Sequence, residues 1–172
     1  MVDEKQEEEA ESGEAQAQPT ASFSAQRIYL KGLSFETPKG AELFQKQWTP
    51  KVNQDLSTHS AQLGEGIFEV SLRVTITVKD EEETLYLVEV DQAGIFKIEG
   101  LEDQQLAQVL NTTCPSILFP YAREVIDSTL TKGSFPPLMI PPVNFDALFA
   151  SAVAANQARG DQDTSDENDT QH

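Results

Sequence analysis

The stretch Ile67–Ile98 constrains the fold more than any other part of the sequence. In its first half apolar and polar residues alternate strictly, with Val70, Leu72, Val74, Ile76 and Val78 interleaved with Ser71, Arg73, Thr75 and Thr77. Successive side chains of a strand point to opposite faces, so this half predicts a strand with one apolar and one polar face. The acidic run Lys79–Glu83 is too polar to continue it and predicts a turn. The stretch is therefore a predicted β-hairpin.

The return strand of this hairpin has two unlike faces. One face carries Tyr86, Val88, Val90 and Gln92, and the other carries Leu85, Leu87, Glu89 and Asp91. The first set fits a face that packs against other parts of the protein. The second set mixes leucines with carboxylates, which is unusual both for a core and for a surface without a partner. The hairpin therefore predicts a sheet with binding partners.

Weaker strand patterns precede the hairpin and helical patterns follow it. Strands are predicted over 22–35 and 52–62, and helices over 101–110, 116–130 and 145–157, the last capped by Asn144. Pro120 predicts a distorted first turn or a later start for the second helix, and the segment Phe135–Pro142 is too rich in proline for a helix or central strand. Strands followed by helices predict an α+β fold with helices on one face of the sheet. The other face is then free for oligomerisation or a partner.

Length and charge limit the domain organisation and the class of partner. The 172 residues predict one domain, residues 22–156, between acidic tails at 1–21 and 157–172 that lack the apolar residues needed to fold. The formal net charge of −17 disfavours nucleic acid and favours a basic partner protein. The charged start and the lack of a long apolar run predict a cytoplasmic protein that does not insert into membranes.

The sequence offers no recognisable catalytic or metal-binding set. It has one cysteine, Cys114, and two histidines, His59 and His172, without a glycine-rich phosphate loop or a metal-ligand motif. Cys114 lacks an activating neighbour and is interpreted as a structural thiol. We therefore expect a non-enzymatic protein without a cofactor.

The connection Gly40–Leu56 is long for a plain loop and contains the only tryptophan, Trp48. By pattern alone, Trp48 either caps the edge of the core or lines an exposed apolar surface that binds other chains.

Four longer strings resemble the SecB protein-export chaperone family. They are LSFETP (33–38), AGIFKIEG (93–100), CPSILFPYAREVIDS (114–128) and PPVNFDALFA (141–150). The resemblance runs in order from about residue 22 to about residue 155. It implies a tetramer, a dimer of dimers with its helices between the sheets. It also implies an ATP-independent holdase that binds unfolded precursor proteins in the cytoplasm and delivers them to the SecA translocase motor.

The same resemblance implies roles for individual residues. It assigns SecA binding to Glu36, Leu87 and Glu89, and Asp91 is expected to compensate for Gly32, which stands where the family has an aspartate. It assigns client binding to Trp48, Leu148 and Phe149, and packing between dimers to Tyr86, Val88, Val90 and Gln92.

Two other functions remain as alternatives. One is a SecB-like scaffold or regulatory chaperone dedicated to a specific partner, such as a toxin–antitoxin pair. The other is a small-ligand enzyme, for which the sequence lacks a buried polar constellation.

Overall fold

The computed structural model describes residues 20–166, with side chains through residue 158. The elements in chain order are β1 (Ser22–Glu36), a 3-10 turn (Gly40–Gln45), β2 (Lys51–Gly64), β3 (Ile67–Asp80), β4 (Glu83–Glu99), α1 (Asp103–Asn111), α2 (Thr113–Lys132) and α3 (Phe145–Asp166). The four strands form one antiparallel sheet in the order β1-β4-β3-β2. The predicted α+β fold with a four-stranded antiparallel sheet is confirmed. Most of the predicted tail disorder concerns residues 1–19 and 167–172, which lie outside the described residues.

The predicted hairpin forms the two central strands of the sheet. Asp80 pairs with Glu83, so Glu81 and Glu82 make the turn. Glu81 has a φ of 51°, the left-handed conformation that two-residue hairpin turns favour. The acidic run thus ends β3 where the pattern predicted.

The core lies between the central strands and α2. On the sheet side, Val74 and Ile76 are fully buried, and they pair across the strands with Val90 and Val88. On the helix side the fully buried residues of α2 are Cys114, Leu118, Ala122, Ile126 and Leu130. Each large aliphatic side chain buried in this way contributes about 1.5–3 kcal/mol. The apolar face of the hairpin is therefore the face that carries the helices.

Two helix boundaries differ from the prediction. α2 begins at Thr113 and continues through Pro120, so the predicted later start was wrong, and the distorted first turn stays a prediction. Proline removes the helical hydrogen bond to the carbonyl group of Ser116, but Ser116 and Pro120 are both exposed, so water can satisfy that carbonyl. α3 extends to Asp166 instead of ending at 157. Its predicted cap is confirmed, because the Asn144 Oδ1 accepts a hydrogen bond of 3.0 Å from the Ala147 N–H.

Candidate binding surfaces

The face of the sheet that points away from the helices, called here the open face, brings the predicted SecA-binding residues together. Glu36 on β1 lies opposite Leu87 on β4. Glu89 lies two residues further along β4 and pairs with Thr75 of β3. Asp91 lies two residues beyond Glu89 and pairs with Arg73. Because side chains alternate along a strand, Leu87, Glu89 and Asp91 project from the same face of β4 and form a row called here the acidic column. Glu36 on β1 lies beside Leu87.

Glu89 and Asp91 differ in their access to a partner. The Glu89 side chain is 41% exposed, and its Oε2 accepts a hydrogen bond of 3.1 Å from the Thr75 hydroxyl. The Asp91 side chain is 14% exposed, and its Oδ2 lies 3.0 Å from the Arg73 Nη2. Its other oxygen, Oδ1, is buried without a hydrogen-bond partner. The Glu89 carboxylate is therefore more accessible to a partner than the Asp91 carboxylate, which is paired with Arg73.

Arg73 lies between these two acids. Its Nε is 3.9 Å from the Glu89 Oε1, in addition to the contact with Asp91. The hydrogen bond to Asp91, followed by the charges of Asp91 and Glu89, raises the pKa of Arg73 above its ordinary value. The sequence analysis had placed Arg73 only on a polar strand face. Its pairing became visible once the register set it opposite Asp91.

Gly32 lies beside Asp91 across the β1–β4 pair. A Cβ atom built at this glycine would come 3.5 Å from the Asp91 Cβ, an ordinary van der Waals contact. Packing at the Cβ position therefore does not require glycine here.

A second charged cluster on the open face was missed by sequence reasoning. The Lys31 Nζ lies 2.8 Å from the Glu69 Oε2, and the Tyr29 hydroxyl donates to the Glu69 Oε1. The hydrogen bonds from Lys31 and then Tyr29 lower the pKa of Glu69, and the bond to Glu69 raises the pKa of Tyr29. A register shift between Leu30 and Gly32 interrupts the alternation, which is why the pattern did not reveal the cluster. Because Lys31 offsets Glu69, the carboxylates that a partner can reach lie nearer the β3–β4 turn.

Trp48 covers one end of the core. Its Nε1 donates a hydrogen bond of 2.8 Å to the Leu43 carbonyl group, and its ring centroid lies 6.0 Å from that of Phe135. The recess that Trp48 lines with Leu43 and Leu85 has a volume of about 20 Å³, close to that of a single water molecule. The half-buried indole thus caps the core. Its outer side exposes part of the ring but borders no deep pocket.

Leu148 and Phe149 line a shallow groove between α3 and β2, called here the α3 groove. Its volume is about 270 Å³, and its apolar lining includes Leu56, Phe145 and Ala152. Leu148 is 49% exposed. Trp48 is not among the lining residues, so the three predicted client-binding residues fall on two separate surfaces. Sequence reasoning missed Leu56 because the contact joins distant parts of the chain.

The residues predicted to pack between dimers lie inside a single chain. Tyr86, Val88, Val90 and Gln92 are each at most 4% exposed. They face the helix side of the sheet, so their side chains leave almost no surface for direct contact with another subunit. Any effect on oligomer packing would have to pass through the helices above them.

Cys114 is buried at the start of α2, and burial raises the pKa of its thiol to about 12. A thiol with this pKa is protonated and unreactive near neutral pH, in agreement with a structural role. Within residues 20–166, no helix is long and apolar enough to cross a membrane.

Comparison with known proteins identifies the family. The pattern of the family described as "Preprotein translocase subunit SecB" matches residues 14–156. A protein-export protein SecB of Cellvibrio japonicus is 50% identical over 161 residues, covering 94% of each chain. Another, of Hahella chejuensis, is 53% identical over 150 residues, covering 87% of this chain and 93% of the relative.

A solved structure shares the fold. It is a Mycobacterium tuberculosis SecB-like chaperone in complex with an antitoxin peptide, with a TM-score of 0.53 and 18% identity over 70% of this chain and 90% of that one. The long family match and the two close relatives establish that the chain belongs to the SecB family.

Proposed function

We propose that this chain is an ATP-independent holdase that keeps precursor proteins unfolded in the cytoplasm and delivers them to SecA. Its role as a protein-export chaperone follows from its relatives, which are about half identical over nearly the whole chain. The observation that carries the holdase proposal is the α3 groove, an open apolar surface on a folded chain. An exposed apolar groove of this kind is a candidate binding site for another chain.

The α3 groove suits a client without a defined sequence. Its walls are largely apolar, with Leu56 from β2 facing Leu148 and Phe149 from α3. Burial of apolar area is non-directional, so many different unfolded segments can bind. Trp48 supplies a second apolar contact at another place on the chain. Binding of this kind needs no covalent step and no nucleotide.

The open face suits a basic partner, which we propose to be the basic, zinc-bearing tail of SecA. Glu36 and Glu89 present carboxylates on either side of Leu87, a partly exposed apolar residue. Complementary charges speed association and fix orientation, and an apolar centre adds burial. Because the open face and the α3 groove are separate, client and SecA can bind at the same time.

We further propose a dimer of dimers with the helices between the sheets. Both edge strands, β1 and β2, have one edge without a neighbour in the described chain. On β1, Phe23, Leu30 and Leu33 are between 42% and 47% exposed. Tyr121 on α2 is 50% exposed. Pairing of edges and burial of these apolar groups against other subunits would lower the free energy of the assembly.

A scaffold dedicated to a toxin–antitoxin pair is the second candidate. The Mycobacterium tuberculosis structure holds an antitoxin peptide, but it is only 18% identical to this chain. The export relatives are 50% and 53% identical. Export is therefore the better supported function.

The first experiment measures mass by light scattering, for the purified protein alone and with an unfolded export precursor, without ATP. We expect a mass near four chains that increases by one precursor. A monomer that ignores the precursor would overturn the proposal.

The contribution of the α3 groove can be tested by Leu148→Ser. We expect weaker precursor binding, because a lining apolar side chain is lost. Val153→Ser is the matched control, since Val153 is exposed on the same helix but is not among the groove-lining residues. If both variants lose precursor binding equally, the α3 groove is not the surface that binds the precursor.

A further inference from the structure

We propose that Arg73 is a built-in competitor that sets the affinity of the open face for a basic partner, an inference that rests on the proposed SecA dock. Arg73 is the cation nearest the acidic column of β4. Its guanidinium group contacts Asp91 at 3.0 Å and approaches Glu89 at 3.9 Å. A lysine or arginine of a partner seeking Glu89 must therefore share that carboxylate with a charge already present.

The geometry makes Arg73 a competitor that can be displaced from Glu89. The Arg73 side chain is 45% exposed, and its distance to Glu89 is at the limit of a direct ion pair. Exposed pairs of this kind contribute little to stability, since water screens them and the side chain loses freedom. A partner's cation can replace this contact at small cost. The guanidinium charge nevertheless stays close by and repels the incoming cation.

Asp91 holds Arg73 in place. Of the two carboxylates near Arg73, Asp91 makes the shorter contact. The Asp91 side chain is mostly buried, with 14% exposed. Its second oxygen, Oδ1, accepts no hydrogen bond from the described residues, so the contact with Arg73 is the one ion pair that Asp91 makes among them. The role inferred for Asp91 is thus to position the competitor, and Glu89 is the contact that the partner uses.

The test measures the dissociation constant of a zinc-loaded peptide spanning the basic tail of SecA. Arg73→Gln should tighten binding about threefold to tenfold at low salt, because it removes a like charge within a few ångströms of the dock. Arg73→Lys keeps the charge and should stay within about twofold of the wild type. Asp91→Asn should weaken binding, because Arg73 then turns fully to Glu89.

The matched control is Arg27→Gln. Arg27 lies on the open face opposite Ile95, away from Glu89, and none of the ion pairs in the described chain involves it. It changes the net charge by the same amount as Arg73→Gln. If both variants tighten binding equally, only the net charge matters and Arg73 has no special role.

The outcomes separate this inference from the proposed function. If the wild type binds the peptide and Arg73→Gln binds it equally well, the dock stands and the competitor is refuted. If neither binds, both are refuted. If only Arg73→Gln binds, the competitor is supported in its strongest form.

Discussion

The rings of Tyr86 and Phe135 lie with their centroids 4.6 Å apart, tilted by 52°. Tyr86 belongs to the central strand β4, and Phe135 belongs to the proline-rich connection that follows α2. The Phe35, Phe44 and Trp48 rings also lie within 6.2 Å of Phe135. One buried phenylalanine therefore ties the connection, the sheet and the Trp48 segment together.

Phe135→Ala should lower the free energy of unfolding by about 3–5 kcal/mol, because Phe135 is 3% exposed and its loss leaves a cavity between several rings. Urea unfolding followed by circular dichroism, at one fixed protein concentration, measures this change. Phe44→Ala is the control, since Phe44 is 52% exposed and should cost much less. Equal costs for the two variants would show that Phe135 is not the centre of the cluster.

Trp48→Ala should weaken precursor binding about fivefold to thirtyfold while leaving SecA binding intact, because large aromatic rings dominate apolar interfaces. Trp48→Phe keeps one aromatic ring and loses the rest of the indole and its hydrogen bond to Leu43, so its effect should be smaller than that of alanine. Fluorescence anisotropy of a labelled unfolded precursor measures both constants. Identical affinities for wild type and Trp48→Ala would leave Trp48 with its core-capping role alone.

Glu89→Lys should weaken SecA binding at least about tenfold at low salt, with client binding near normal, because it reverses a carboxylate of the open face that is more exposed than Asp91. Raising the salt concentration should weaken the wild-type complex more than the variant complex. Glu65→Lys makes the same charge change in the turn between β2 and β3 and should have little effect. A wild-type SecA affinity that does not change with salt would argue against an electrostatic dock.

Gly32→Asp should tighten SecA binding about threefold by adding a carboxylate beside Asp91, since a Cβ atom at Gly32 meets only an ordinary van der Waals contact. Gly32→Ala places a Cβ at the same position without charge and should leave the affinity unchanged. Calorimetric titration with SecA compares the two. If alanine tightens binding as much as aspartate, backbone stiffening is the cause and the missing acid is unimportant.

Cys114 predicts a pH-dependent stability. In the unfolded chain a thiol loses its proton near pH 8.5, whereas the folded thiol keeps it up to about pH 12. The stabilisation from the protonated thiol is complete below about pH 8.5 and is lost as pH rises through this window. The stability advantage of wild type over Cys114→Ala should therefore shrink between pH 8 and pH 10.5.

Unfolding free energies of both proteins across this range measure the effect. Native Cys114 should also react slowly with iodoacetamide at pH 8 and rapidly in urea. An advantage that grows with pH, or fast labelling of the native protein, would contradict the burial of the thiol.

The hairpin shows why much of the fold was predictable. Strict alternation through Val70 and Val78 and the polar turn at Glu81 are local signals, and the structure follows them. The resemblance supplied the acidic face, and its residues do lie together. The strand order and the helix that covers the sheet depend on contacts distant in sequence, so no local pattern contained them.

The structural neighbours of Arg73 and Leu56 could not be predicted from the sequence. Pairing of Arg73 with Asp91 depends on the register between β3 and β4, and the groove that Leu56 lines with Leu148 and Phe149 depends on where α3 lies relative to β2. The register shift at Lys31 breaks the alternation of apolar and polar residues from which the faces of the other strands were predicted. Pro120 lies inside α2, where water can satisfy the Ser116 carbonyl group that proline leaves without a helical hydrogen bond.

The long outer strand β1, residues Ser22–Glu36, has a further consequence. Among residues 20–166, β1 has an unpaired backbone edge beside the exposed side chains of Leu30 and Leu33. Such an edge is a template for aggregation. If the proposed dimer of dimers pairs this edge, assembly also protects the chain against aggregation.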